Sequence, residues 1–292
     1  MKSSTTTRDK KTAKEPTTGI LMMAVGHPFY ARMAYNLLVS IRYHDKTIPV
    51  AILIDGPGFG MLDPDYQKAF NHVIPISVGS DVYAGKLQLD IHSPFDRTLF
   101  LDVDTIWGPH KAPKQLLAEL AGKEFQCVIR ARKATDSEEK ITSQWFKLSD
   151  VKEAYGFEAV YDISSELIYF EGQPKVFKTA RKIYADPKIE IGKFGNGLPD
   201  EAFFILALEA EKMELKTPFE PTYWEPAKYP HQHSREYIQN HWILSVGGAF
   251  YTQHIKRIYD SLLDMYFYHS GMAGTPFQLQ AKSNIFPERR KI

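Results

Sequence analysis

The sequence predicts an α/β fold in a single domain, a mostly parallel sheet flanked by helices, and three adjacent stretches carry that reading. Residues 19–25 form a short, continuously apolar run ended by Gly26-His27-Pro28. Residues 29–44 place Phe29, Met33, Leu37 and Ile41 at helical spacing, with Tyr30, Ala34 and Leu38 beside them. Residues 48–54 are a second apolar run, closed by Asp55-Gly56-Pro57-Gly58, which reads as a turn. Strand, helix and strand in that order make a parallel βαβ unit, and strands without polar alternation are buried on both faces.

The central strand follows at residues 98–101, Thr-Leu-Phe-Leu, and Asp102 and Asp104 stand at its end. Side chains two apart on a strand point the same way, so both carboxylates leave the sheet together at its carboxyl edge, where open α/β sheets bind ligands. Two like charges side by side call for something positive between them. Oxygen ligands suit Mg²⁺ or Mn²⁺, which also bridge phosphates. A bare Asp-x-Asp is common, and a solvated strand end or turn is the competing reading.

The remaining elements follow in order. Leu87, Leu89 and Ile91 suggest a short helix ahead of the central strand. Residues 107–114 are a Pro/Gly-punctuated loop, 115–121 a short amphipathic helix, and 125–131 a strand from which Arg130 and Arg132 emerge. Those arginines would grip a phosphate or an anionic acceptor, or form a solvated edge. Residues 133–157 are charged and loop-like, with Trp145 and Phe146 as a large apolar pair, and read as a flap on the acceptor side. The polar run 162–166 leads into a strand at 167–170, Pro174 opens a helix, and Asp200-Glu201 opens another. Asp is favoured at helix starts, so capping competes with a binding role there. Residues 242–248 are strand-like, and Ile258, Tyr259, Leu262, Leu263 and Tyr266 form an amphipathic helix that packs on the sheet or on a second subunit, which leaves a homo-oligomer open. The expected organisation is a disordered Ser/Thr/Lys-rich tail at 1–18, one domain at 19–270 and a C-terminal extension at 271–292.

Composition narrows the function classes. The 292 residues carry a formal net charge of +1, so no global basic field demands nucleic acid, although a local patch at Arg130, Arg132 and Lys133 escapes that argument. Aromatic residues make up 13% of the chain; most belong in a core, some in a sugar or base pocket. The single cysteine, Cys127, excludes an intramolecular disulfide and suits a reducing compartment. No run reaches the length of a membrane span, and residues 1–18 lack the apolar core of a secretory signal, so the expected place is the cytoplasm.

The run Thr-Leu-Phe-Leu-Asp-Val-Asp-Thr at 98–105 resembles the Asp-x-Asp strand of GT-A glycosyltransferases, especially the glycogenin-like and family 8 group. The order Gly85-Lys86-Leu87, then Ser93-Pro94-Phe95-Asp96, then the Asp-x-Asp strand, is similar to that group's pattern. The likeness spans residues 19 to about 256, stronger in the first half. It implies a metal-dependent transfer of a sugar from a nucleotide sugar, UDP-linked by the resemblance, with Asp102 and Asp104 holding Mn²⁺ or Mg²⁺ on the diphosphate. It also implies that Val25, Gly26 and Tyr30 border the base, with Tyr30 stacking on a uracil, and that Asp81 meets a ribose hydroxyl. Lys86 would face the diphosphate, and Ser164, Ser165 and Glu166 would stand beside the transferred sugar, where relatives often carry Asn-Ser-Gly. Asp200 and Glu201 match a segment that contacts the donor sugar or acceptor, with Asp200 the expected sugar contact, and Glu166 and Asp200 are the candidate catalytic carboxylates.

The third metal ligand of the group departs from the pattern. A histidine is expected in a His-x-x-Gly-x-x-Lys-Pro-Trp run, and Ser245 falls in its place. His254, with Lys256 nearby for phosphate, is the expected substitute, and His241 and His269 stay open. His231 and His233 follow Pro230 and read as a surface loop. The acceptor stays open as well: a glycan, a protein, a small molecule or a modified nucleobase. Two other readings compete. A binding or scaffold protein on a degenerate fold of this type is favoured by the broken histidine pattern and opposed by the intact Asp pair. A nucleotidyltransferase would need a Gly-rich basic phosphate loop after the first strand, and Gly26-His27-Pro28-Phe29 is not one.

Overall fold

The structure is a computed structural model, and it describes residues 15–27, 29–61, 64–79, 81–136, 145–193, 197–215, 240–245 and 253–271. The first unit is as expected. Strand β1 (Thr18–Ala24), helix α1 (Phe29–His44) and strand β2 (Val50–Ile54) form a parallel βαβ unit, and α1 buries one long face against the sheet. The chain enters β1 tied down: Thr17 donates its backbone N–H and hydroxyl to Asp96 Oδ2, so the ordered domain starts ahead of residue 19.

Six strands share one sheet in the order β3-β2-β1-β4-β7-β6, with β3 (His72–Pro75), β4 (Arg97–Asp102), β6 (Phe125–Ala134) and β7 (Ala159–Glu171). β3, β2, β1 and β4 run parallel, whereas β7 is antiparallel to both β4 and β6. Chain order reverses at β1, so a crevice opens at the carboxyl ends of β1 and β4. Two apolar layers cover the faces. One joins α1 to the last described helix, the other packs α7 (Lys175–Ala185) and α8 (Asp200–Ala210) on the sheet. The last described helix, Gln253–Ser270, is labelled α9. A second sheet of two short strands, β5 (Thr105–Trp107) and β8 (Ile243–Ser245), pins the late part of the chain beside the end of β4.

Three local expectations differ from the structure. The Asp55-Gly56-Pro57-Gly58 stretch starts helix α2 (Gly56–Met61), because Asp55 Oδ1 accepts the Gly58 N–H in the manner of an N-cap while Oδ2 accepts the Gly26 N–H. Short helix α3 (Pro64–Gln67) follows, and the short helix expected around Leu89 is present as α4 (Leu89–His92), preceded by a 3₁₀ turn, Tyr83–Gln88. Beyond α5 (Pro113–Leu120), the loop-like stretch 133–157 contains the end of β6 and helix α6 (Leu148–Tyr155), which buries Leu148 and Val151 and ends at Gly156 with φ 72°. Finally, the polar run 162–166 lies inside β7 rather than ahead of it. Asp162, Ile163 and Ser164 pair with β6, and Ser165 and Glu166 lie in the register shift opposite Cys127/Val128. Residues 1–14, 137–144, 194–196, 216–239, 246–252 and 272–292 lie outside the described residues, and with them His231, His233, most of the expected tail and nearly all of the extension.

Candidate functional site

The end of β4 carries the site. Asp102 is its last residue, and Asp104 sits in the turn to β5. Thr105 closes that turn by donating its hydroxyl to the Asp102 carbonyl at 2.6 Å. Lys86, on the 3₁₀ turn, is 9% exposed and donates to Asp102 Oδ2 at 2.7 Å and to Ser165 Oγ at 3.2 Å. Asp200 Oδ2 lies 3.7 Å from the same ammonium. Burial alone would lower the Lys86 pKa, but Asp102 and then Asp200 more than offset this and hold the ammonium above its ordinary range. Burial, together with the other carboxylates, keeps Asp102 and Asp200 above theirs despite Lys86. Lys86 therefore serves two carboxylates and a serine, brought together from β4, α8 and β7.

The Lys86 turn is anchored from behind. Arg181 on α7 forks onto Asp90, at 2.5 Å to Oδ1 and 3.1 Å to Oδ2, and also donates to the Leu87 carbonyl at 2.6 Å. Nothing in the periodicity of either segment points to this pair, which spans 91 positions. Asp81 is likewise occupied within the fold: it accepts from the Tyr184 hydroxyl at 2.7 Å and the Leu198 N–H at 3.2 Å. A Cβ at Gly197 would meet Asp81 Oδ1 at 2.3 Å, so only glycine lets residues 197–198 approach so closely. Asp81 thus ties down the entry to α8.

On α8, Asp200 does not cap the helix. Pro199 is the N-cap, with no side-chain cap bond, and Asp200, 5% exposed, turns towards Lys86. Glu201 accepts the Ser165 N–H at 3.2 Å and the Trp145 indole N–H at 3.0 Å, and Arg130 Nη2 lies 3.5 Å from it. Arg130 also donates to the Ile163 carbonyl, and Arg132 pairs with Glu209 beside the Tyr161 ring. Both arginines are engaged within the protein rather than presented as a grip for phosphate. The resemblance pairs Glu201 with Asp200 as a contact to donor sugar or acceptor, and the structure places Glu201 on Ser165, Trp145 and Arg130.

Glu166 faces the other side of the cluster. Ser245 Oγ donates to Glu166 Oε1 at 2.6 Å, while Oε2 is sealed from solvent with no hydrogen-bond partner. Burial and then the charge of Asp104 push this carboxyl up to about 7. Ser164 and Ser165 are buried beside it, and the Ser164 hydroxyl accepts the Glu166 N–H. At the base end, Val25 is buried, Gly26 takes φ 83° with its N–H on Asp55, and Tyr30 is half-buried with an edge contact to Phe29. Asn36 and Ser40 on α1 are structural: Asn36 donates to the Tyr259 hydroxyl, and the Ser40 hydroxyl accepts the Trp107 N–H.

The histidines separate. His241 is buried just ahead of β8, and His269 lies against Tyr43 in the last turn of α9. His254 and Lys256 lie at the start of α9, and their side chains fall outside the described residues. Among the described residues, no three His, Cys, Asp or Glu side chains are arranged to hold a metal ion as they stand. Among them too, no helix is long and apolar enough to cross a membrane.

No family model matches this sequence, and no curated protein matches it. Solved structures do match its fold. A bifunctional glycosyltransferase, WbbM, superposes with a TM-score of 0.56 at 12% identity, over 92% of this chain and 52% of that one. The glycosyltransferase GlyE of Streptococcus pneumoniae TIGR4 gives 0.52 at 12% identity, over 87% and 62%. A galactosyltransferase, LgtC, solved with donor and acceptor sugar analogues, gives 0.53 at 11% identity, over 88% and 97%. The fold is that of the GT-A glycosyltransferases. This chain spans about half of WbbM and three-fifths of GlyE but nearly all of LgtC.

Proposed function

We infer that this protein is a glycosyltransferase that moves a sugar from a nucleotide sugar, UDP-linked by its resemblance to the family 8 group, to an acceptor. The observation that carries the reading is the placement of Asp102, Asp104, Lys86, Asp200 and Glu166 together at the carboxyl edge of β1 and β4, where a fold of this type receives its donor. The base would lie over Val25, Gly26 and Tyr30, and the diphosphate over the end of β4.

The residues present fit a divalent cation. Five carboxylates (Asp102, Asp104, Glu166, Asp200 and Glu201) surround two cationic side chains, Lys86 and Arg130, and buried oxygens of Glu166 and Asp200 lack hydrogen-bond partners. Asp102 and Asp104 would border that cation, which when bound offsets negative charge as the diphosphate leaves. The chain's own groups do the rest. Lys86 holds Asp102 and Asp200 together, which fixes the end of β4 against the start of α8 at the floor of the crevice. Glu201 fixes the Ser165 backbone and with it the floor of the sugar position. The reading is tested by calorimetric titration of UDP and UDP-sugars, with Mn²⁺ and with EDTA, on wild type and Asp104→Ala. Metal-dependent binding lost in the variant supports it; absence of binding to any nucleotide refutes it and leaves a scaffold role on this fold.

A further inference from the structure

We propose that Glu166, oriented by Ser245, is the carboxylate that joins Asp104 in holding the divalent cation, in the position where the family resemblance calls for a histidine. This rests on the transferase reading above and assigns one ligand within it.

Three observations lead there. The first is backbone register. β4 and β7 pair antiparallel from Arg97–Glu171 to Leu101–Leu167, and Glu166 directly precedes the last pair on β7, as Asp102 directly follows it on β4. The Glu166 carboxylate is therefore delivered to the end of β4 by a thirteen-residue strand, a rigid support suited to a ligand. The second is the division of its two oxygens. Ser245 fixes Oε1 at 2.6 Å, and Oε2 is buried with no hydrogen-bond partner. A buried carboxylate oxygen left in that state is costly, and a bound cation would satisfy it. Ser245 itself is held by pairing with Thr105, the residue after Asp104, so the serine that orients Glu166 is registered to the turn that carries Asp104. A ligand oriented by a hydrogen bond on its other atom is the usual arrangement around metals.

The third observation concerns Asp102. One of its oxygens is engaged by Lys86, so Asp102 borders the cation through its other oxygen alone, beside Asp104 and Glu166. Two carboxylates suffice where substrate phosphates and water fill the remaining positions, as is common for Mg²⁺. An all-oxygen set favours Mg²⁺ or Mn²⁺ over softer metals. The substitution is thus compensated across strands: β8 gives up an imidazole and contributes the serine that aims a carboxylate from β7.

The test is uptake of Mn²⁺ by the full chain, read from the loss of the free-ion electron paramagnetic resonance signal, with and without UDP, alongside thermal unfolding of each variant. Wild type should take up Mn²⁺ with UDP present. Glu166→Gln, isosteric and uncharged, should weaken this by about 100-fold, and Ser245→Ala by about 10-fold. Should Glu166→Gln fail to fold, Ser245→Ala decides. Mn²⁺ affinity within about 2-fold of wild type in the deciding variant overturns the assignment while leaving the transferase reading intact, as does a loss seen in His254→Ala alone. No Mn²⁺ uptake by wild type, with or without UDP, overturns both.

Discussion

Removing the Arg181 guanidinium should unlock the segment that carries Lys86. Arg181 makes a two-pronged contact with Asp90, whose side chain is 3% exposed, and a third bond to the Leu87 carbonyl. In Arg181→Leu the packing of α7 is largely kept, but Asp90 is left as a buried charge without its cation. Breaking one side of a buried pair costs about 3–5 kcal/mol. Because Arg181 is itself 29% exposed, the lower end, about 3 kcal/mol, applies. For a domain of this size that corresponds to a fall in Tm of roughly 6–12 °C. The assay is urea and thermal unfolding of wild type, Arg181→Leu, Asp90→Asn and the double variant. A coupling energy of about 2 kcal/mol is expected from the cycle. Since Lys86 precedes Leu87 on the same turn, UDP affinity should fall in Arg181→Leu as well. A loss below about 1 kcal/mol would mean that the pair behaves like an exposed ion pair, and the anchoring role would be refuted.

Three further outcomes follow from the geometry. Lys86→Met removes the ammonium between Asp102 and Asp200 and should cost about 3 kcal/mol in urea unfolding; an unchanged midpoint would show that the carboxylates do not depend on it. A Cβ at Gly108 would lie 2.2 Å from the His241 carbonyl oxygen, so Gly108→Ala should force β5 and β8 apart, destabilising by about 1–3 kcal/mol and weakening Mn²⁺ uptake through Ser245. Burial, and then the charge of His110, lower the His44 pKa despite the Gly108 backbone, so the folded protein prefers neutral His44. Its unfolded form binds the proton more readily, and the stability it contributes is therefore lost as pH falls below about 6.5. The ring lies among Tyr43, Tyr266 and His110, and a His44→Phe variant should show a flatter acid limb; an identical limb would count against this.

The strand-helix-strand start and the Asp-x-Asp strand were legible because each is local: an apolar run, a helical period and a carboxylate pair announce themselves within a few residues. The same locality explains why Pro174 and Asp200 were read as helix starts. What was not legible depended on distant partners. Asp55 acts as an N-cap while also holding Gly26, so a turn signal became a helix. The run 162–166 stays in a strand because β6 accommodates it through register shifts, which no pattern within β7 reveals. Within the site, Asp102 and Asp104 could be named from sequence, whereas the engagement of Lys86 by Asp200, of Ser165 by Glu201 and of Glu166 by Ser245 joins residues 36 to 114 positions apart. Arg130 and Arg132 show the converse: composition suggested a free anion grip, and their partners lie on α8.

The small β5–β8 sheet also bears on the order in which the molecule is completed. A chain made from its N-terminus can assemble all six strands of the main sheet once Glu171 has emerged, since none of them comes from later residues. Ser245 arrives only afterwards, from a strand of three residues. Until it docks beside Thr105, Glu166 lacks its orienting hydroxyl and Gly108 its bond to the Trp242 carbonyl. A nascent protein that has emerged only as far as Glu171 would thus hold the main sheet while the Glu166 side chain is still unaimed.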